Sequence, residues 1–302
     1  MIKMSTSIDD INDLYPLLIH EVLENGEKAS PRGRAIRELH NVGFVLNDAH
    51  NSIILNPSRK MNYAYAAIEM LGLLRTGELN VEPYTWYNSK MRQFLNSTGD
   101  NWDGSYADRI HWYNQLEEMY KVLKADPDSR RAVMSFYNPV HDFHDYESRD
   151  ICCTLNLIFN IRDGKLNLTG TMRSNDILLG LPYDLTQFTF LQSVLASWLG
   201  LEMGYYCHFT ANLHAYEDDV EKLKKIFKDT GRVENQWQRM GDWDLPSQIA
   251  TYEAIAEFFA YDKLVRQGLK VDGTELKHSK FLTNLFDNVT KPFAVAKLAK
   301  AA

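Results

Sequence analysis

The stretch Cys152–Arg173, CCTLNLIFNIRDGKLNLTGTMR, decides the fold class. Two runs rich in apolar and β-branched residues flank Asp163-Gly164, the strongest short-range signal for a tight β-hairpin. The reading outward from this hairpin is mixed. Upstream, Trp112 to Leu123 has helical spacing and ends before Asp126-Pro127, which blocks helix continuation, and Val133 to Tyr137 follows as a short strand. Downstream, Ile177 to Leu181 is a loop closed by Pro182, Asp184 to Leu199 is an apolar helix stopped by Gly200, and Met203 to Leu213 is a further strand. Helices are predicted over Ile8 to Leu23, Tyr63 to Leu74, Glu217 to Lys228, Tyr252 to Gln267 and Phe281 to Ala299. Strands clustered mid-chain with helices at both ends predict an α+β fold, a mixed or antiparallel sheet packed by helices on one face.

The 302 residues are 45% hydrophobic and 24% charged, the profile of an ordinary folded globular chain. With no repeat and no linker-like tract, residues 1–302 read as a single domain, and a chain of this size buries roughly 75% of its unfolded surface without staples. A net charge of −7 excludes binding that rests on broad neutralisation of polynucleotide phosphate, while leaving room for a small anion held by local arginines. Cys152, Cys153 and Cys207 are too few and too unevenly placed for a disulfide framework, which predicts a reducing, cytoplasmic setting. The opening MIKMSTSIDDINDLYPLLIH lacks a basic n-region before an apolar run, and no window reaches the ~18 apolar residues of a membrane span. A soluble, unprocessed chain is expected.

Cys152 and Cys153 are neighbours on a predicted strand, so their side chains point to opposite faces and only one reaches a given cleft. Two small buried hydrophobes are the plain alternative. Arg130-Arg131 after a turn, Arg173 at the end of the hairpin, and Arg32 and Arg34 around Gly33 in the basic loop SPRGRAIRE form a set suited to a nucleotide monophosphate and able to depress a thiol pKa. Asp184 stands at a predicted helix start, where an N-cap is its ordinary role. His214 and Tyr216 share one strand face, and Glu69 is a lone acid on a nearly all-apolar helix, hence paired or functional.

In order along the chain, PDSRR (127–131), Cys153, DGKL (163–166), MRSND (172–176), LGLPYD (179–184) and LHAY (213–216) resemble the thymidylate synthase superfamily, with Cys153 ten residues before Asp163. The resemblance covers roughly residues 15–220; residues 221–302 form a divergent helical C-terminal region. It implies a homodimer and a folate-dependent reaction at C5 of a pyrimidine deoxynucleotide monophosphate, with 5,10-methylenetetrahydrofolate as co-substrate and no metal, polynucleotide or membrane. Carried over, Cys153 is the nucleophile, Arg32 (or Arg34), Arg173 and Ser174 bind phosphate, and Arg130 and Arg131 reach the partner's site. Glu69 belongs to the proton and water network and Tyr106 lies near the thiol; His214 and Tyr216 hold the sugar hydroxyl, and Asp176, Gly180 and Tyr183 lie at the folate.

Two departures bear on substrate. Thymidylate synthases usually follow the nucleophile with His and carry Asn where this chain has Asp184; here Thr154 follows Cys153, and both features resemble phage-type deoxycytidylate hydroxymethylases. Uracil offers an N3–H donor and an O4 acceptor, whereas cytosine offers an N3 acceptor and an N4 amino donor. A singly protonated carboxyl at Asp184 matches cytosine. The expectation is hydroxymethylation of dCMP, beside methylation to 5-methyl-dCMP or dTMP, action on CMP, and a silent nucleotide- or RNA-binding homologue. Residue types alone do not choose water over hydride at the last step.

Overall fold

The computed structural model describes residues 6–77, 79–143, 148, 150–234, 243–271, 276 and 279–301. The chain begins with β1 (Thr6–Ile8), α1 (Ile11–Asn25), β2 (Glu27–Ala29) and β3 (Ile36–Leu46). It continues through α2 (Tyr63–Gly72), α3 (Glu82–Tyr87), α4 (Tyr106–His111), α5 (Gln115–Ala125), β4 (Val133–Ser135) and α6 (Pro139–Asp142). The hairpin is β5 (Thr154–Arg162) and β6 (Lys165–Met172), followed by β7 (Asn175–Asp176), α7 (Leu181–Leu199), β8 (Glu202–Tyr216) and α8 (Val220–Lys228). The C-terminal helices are α9 (Gln248–Arg266), α10 (Lys280–Leu285) and α11 (Lys291–Ala301).

The sheet runs β1-β3-β8-β6-β5-β4, with β2 added beside β3 and β7 beside β8. It is mixed: β3/β8, β6/β5 and β5/β4 are antiparallel, and β1/β3, β6/β8 and β7/β8 parallel. The hairpin forms as its sequence demands. Asp163 (φ 53°) and Gly164 (φ 72°) both take the left-handed conformation that a two-residue turn of this twist requires. On one sheet face Phe44, Leu157, Leu168 and Tyr206 are buried in the core with α1 and α7, while on the other Tyr205 and Phe209 remain 37% and 38% exposed.

Several sequence expectations shift. Strand β3 was not expected: its polar stretch, and Asn41 in a left-handed conformation (φ 57°), hide the alternation, and pairing along β8 supplies what local pattern does not. Helix α7 starts at Leu181 because Pro182 fits the first turn, where its missing N–H costs nothing. Asp184 is therefore inside the helix, and Gly180 is the N-cap residue. Cys153 precedes β5 by one residue, yet the two thiols still diverge: Cys152 is buried and Cys153 half-buried. The helix expected over Phe281 to Ala299 is interrupted by a π-turn at Phe286–Thr290, just before Pro292, whose ring and missing N–H oppose a regular α-helix.

The divergent C-terminal region packs against α3. Buried Asp262 of α9 accepts from Tyr87 Oη (2.6 Å) and from Arg266 Nε (2.7 Å), and Arg266 also pairs with Glu82. Lys297 of α11 stands 4.3 Å over the Trp86 ring. One hydrophobic cluster runs from Ile11 to Ala294, so this region shares the core of the sheet domain. No described helix is long and apolar enough to cross a membrane.

Candidate active site

The hairpin register Thr154↔Met172 carries the residues just beyond each strand alongside one another, so Arg173 N donates to Cys153 O (2.9 Å). The Arg173 guanidinium folds back over this segment. Its Nε donates to Cys152 O (2.8 Å), its Nη2 to Ile151 O (2.9 Å), and Nη2 lies 3.6 Å from Cys153 Sγ. Burial pushes the Cys153 thiol up to about 11, with Arg173 opposing. The expected depression of this thiol by arginine is absent because desolvation outweighs a guanidinium that shares its donors with two carbonyls. Cys152 is pushed up to about 12 by burial, and its Sγ turns to Thr154 O (3.2 Å).

Strand β7 pairs in register with β8, Asn175↔Leu213 and Asp176↔His214, and so brings the MRSND segment beside the LHAY segment. Ser174 Oγ is 3.3 Å from His214 Nδ1, which also meets Asn212 Oδ1 at 3.0 Å. The His214 and Tyr216 rings stand edge to face at 5.4 Å, and Arg34 lies 3.8 Å over Tyr216. Arg32, in a left-handed conformation, is exposed and reaches Ser148 O (3.4 Å). Both arginines are close enough to Tyr216 for their charges to lower its pKa against the effect of burial. Burial holds His214 below the usual histidine range.

The loop before α7 is closed by Asp176, whose Oδ1 accepts from the N–H groups of Leu178 (2.7 Å) and Leu179 (3.0 Å). Burial raises its carboxyl while His214 opposes. At Gly180, whose N donates to Asp176 O (3.0 Å), an added Cβ would come within 3.0 Å of Asn175 Nδ2 and 3.2 Å of Asp176 O. Tyr183 joins α7 to α2: its hydroxyl accepts from Asn62 N (3.3 Å), and its ring meets Tyr65 edge-on at 5.4 Å.

Two carboxyls face this space from different helices. Asp184 is 7% exposed, its Oδ2 accepts from Asn175 Nδ2 (2.7 Å), and burial pushes it up to about 7 against that bond. Glu69 of α2 accepts from Tyr65 Oη (2.5 Å) on Oε1, whereas Oε2 is buried with no partner among the described residues. Burial, with Asp184 adding to it, pushes Glu69 up to about 8. Tyr106 opens α4 and packs edge-on against Phe136 (5.3 Å); burial raises its hydroxyl, with Asp184, Cys152 and Cys153 near enough to add to the effect.

The structure thus gathers Cys153, Arg173, Ser174, Asp176, Gly180, Tyr183, Asp184, His214, Tyr216, Glu69 and Tyr106, with Arg32 and Arg34 at the margin. It does not bring Arg130 and Arg131 to them. The antiparallel register Val133↔Ile158 carries these two exposed residues toward the Arg162 end of β5, away from Cys153. Two residues escaped the sequence reading. Asn175 is 2% exposed and bonds Asp184; asking what satisfies a buried carboxyl at 184 would have pointed to it. Arg59 is 3% exposed, lies 5.6 Å over the Tyr183 ring and sets its charge beside the hydroxyls of Tyr15 and Tyr183. Among the described residues no group of three or more His, Cys, Asp or Glu could hold a metal ion.

The family model for thymidylate synthase matches residues 13–239. The chain belongs to the thymidylate synthase family. Among curated relatives, the deoxyuridylate hydroxymethyltransferase of Bacillus phage SP01 is 32% identical over 233 residues, 71% of this chain and 60% of the phage protein. That of Pseudomonas phage M6 is 32% identical over 61% of this chain and 55% of its own length. Thymidylate synthase 1/2 of Encephalitozoon cuniculi (strain GB-M1) is 27% identical over 70% of this chain and 80% of its own. The chain therefore spans less than two thirds of the two phage proteins. The thymidylate synthase fold accounts for the mixed sheet of parallel and antiparallel strands packed with helices.

Proposed function

We propose that this thymidylate synthase family member hydroxymethylates C5 of dCMP, with methylenetetrahydrofolate as co-substrate. The observation that carries the base assignment is the buried Asp184 carboxyl, held up to about 7 and bonded on one oxygen by Asn175. In its neutral form it donates to cytosine N3 and accepts from the N4 amino group, an order that uracil reverses. A site that leaves such buried groups unpaired loses on the order of 10⁴-fold in discrimination.

Arg173, Ser174 and Arg32 hold the phosphate; Arg34, engaged on Tyr216, helps to fix that ring, and His214 and Tyr216 take the sugar hydroxyl. The Cys153 thiolate adds to C6, which makes C5 electron-rich. Asp184 passes its proton toward N3 as charge develops there, and Tyr106 flanks the thiol. Glu69, protonated through neutral pH and with Oε2 unbonded among the described residues, positions a water and moves a proton. The residues present fit a folate: the Arg59 guanidinium, beside Tyr15 and Tyr183, suits a carboxylate, and Asp176, Gly180 and Tyr183 line the adjoining turn. When bound, the folate supplies a one-carbon unit at the formaldehyde level. Thr154 after Cys153, together with phage relatives named as hydroxymethyltransferases, favours water over hydride at the end. Arg130 and Arg131 serve the site of a second copy docked on the half-exposed Tyr205–Phe209 face.

The phage relatives, which are deoxyuridylate hydroxymethyltransferases, favour a second reading, dUMP as substrate. Product mass after incubation with methylenetetrahydrofolate and dCMP, CMP or dUMP separates them. A gain of about 30 mass units on dCMP is expected; the same gain on dUMP alone overturns the base assignment, and a gain of about 14 overturns hydroxymethylation.

A further inference from the structure

We infer that Asn175 is a positioning residue that decides which oxygen of Asp184 carries the proton, and through it which base the site reads. The inference rests on the cytosine reading above and deepens it. Asn175 is 2% exposed and its backbone is fixed by pairing with Leu213 on β8. From there its Nδ2 donates 2.7 Å to Asp184 Oδ2, across the turn that Gly180 keeps free of a side chain.

A neutral carboxyl has one O–H donor and one acceptor oxygen. The carbonyl oxygen of a neutral carboxyl is a better acceptor than its hydroxyl oxygen, so an N–H aimed at Oδ2 favours the proton on Oδ1. Oδ1–H then donates to the base, while Oδ2 accepts both from Asn175 and from the exocyclic amino group. When Oδ1 gives its proton to N3, the same amide stabilises the carboxylate left behind, since a donor to the charged form favours it. Asn175 is thus useful in both states of the acid.

Among the described residues no other side chain does this. The titratable groups that face it are Glu69 from α2, Tyr106 from α4, Cys153 before β5, Asp176 on β7 and Tyr206 on β8. Each acts on it through charge or burial, and Asn175 is its side-chain hydrogen-bond partner among the described residues. The Asn175 bond is also what opposes the upward push of burial on this carboxyl.

The test compares wild type, Asn175→Leu, Asn175→Ala and Asp184→Asn, each checked for a native melting transition. Calorimetric Kd for dCMP and dUMP, measured without folate, and pH profiles of kcat/KM are the readouts. Removing Asn175 should weaken dCMP binding roughly tenfold or more while changing dUMP binding much less. The alkaline limb that Asp184→Asn abolishes should move up by about one pH unit, because the carboxylate has lost its donor. If Asp184→Asn changes the dCMP:dUMP ratio but both Asn175 variants leave ratio and limb in place, the positioning role is overturned and the base reading stands. If Asp184→Asn leaves the ratio unchanged, both fall. Should Asn175→Leu misfold, Asn175→Ala alone decides, since it adds no bulk at the turn.

Discussion

The Cys153 thiol, pushed up to about 11, has a thiolate fraction of about one in a thousand at pH 8. Alkylation by iodoacetamide, which consumes thiolate, should therefore accelerate about tenfold for each pH unit from 7 to 10. Arg173 Nη2 lies 3.6 Å from the sulfur. A full charge at that distance in an effective dielectric of about 20 is worth on the order of 4 kcal/mol. The bonds of the guanidinium to two carbonyls, and its partial solvation, reduce this to about one or two pH units. Arg173→Met should therefore slow the alkylation of Cys153 at pH 8 by roughly 10- to 100-fold, and Arg173→Lys should restore part of the rate. Peptide mass spectrometry reads each cysteine separately, and Cys152, 1% exposed and pushed up to about 12, should stay unmodified. Cys153→Ser should abolish turnover while Cys152→Ser spares it. A rate that levels off below pH 9, or an Arg173→Met protein that reacts as fast as wild type, would refute the balance of burial against charge argued above.

Two further outcomes follow from other parts of the molecule. Mixing inactive Cys153→Ser with inactive Arg130→Ala/Arg131→Ala subunits should restore about a quarter of wild-type activity, because random dimers leave one complete site in half of them; no recovery, or a monomer in sedimentation, removes the second copy from the mechanism. His208 is buried, stacked 5.1 Å from Phe44, and pushed down to about 3. A depressed folded pKa contributes stability above the ordinary value of 6.5 that is lost as pH falls toward 3, by at most about 5 kcal/mol. Urea unfolding between pH 7 and 4 should show a shallower decline for His208→Phe; parallel curves would exclude His208 as the source.

Much of the site was legible because its parts are local. Asp163-Gly164 sets a two-residue turn by backbone preference alone, and that turn fixes the register as far as Asn156↔Thr171; a bulge between Thr154 and Asn156 then shifts it by one residue and puts Cys153 against Arg173. His214 and Tyr216 share a face through the two-residue period of a strand. The neighbouring thiols differ in burial although neither lies in the strand, which begins only at Thr154. Strand β3 was not legible, since its residues become a strand only through the long-range partner β8.

The sequence by itself determined the hairpin, the helical ends, and the donor and acceptor inventory of the cleft, because each depends on backbone preference or on chemistry carried by a single residue. Only the tertiary structure decided the protonation states. The carboxyls of Asp184 and Glu69 and the thiol of Cys153 are displaced by desolvation, a property of everything packed around them. The same holds for the bond between Asn175 and Asp184, nine residues apart in sequence and joined across a turn whose shape depends on Pro182, Gly180 and the pairing of β7 with β8.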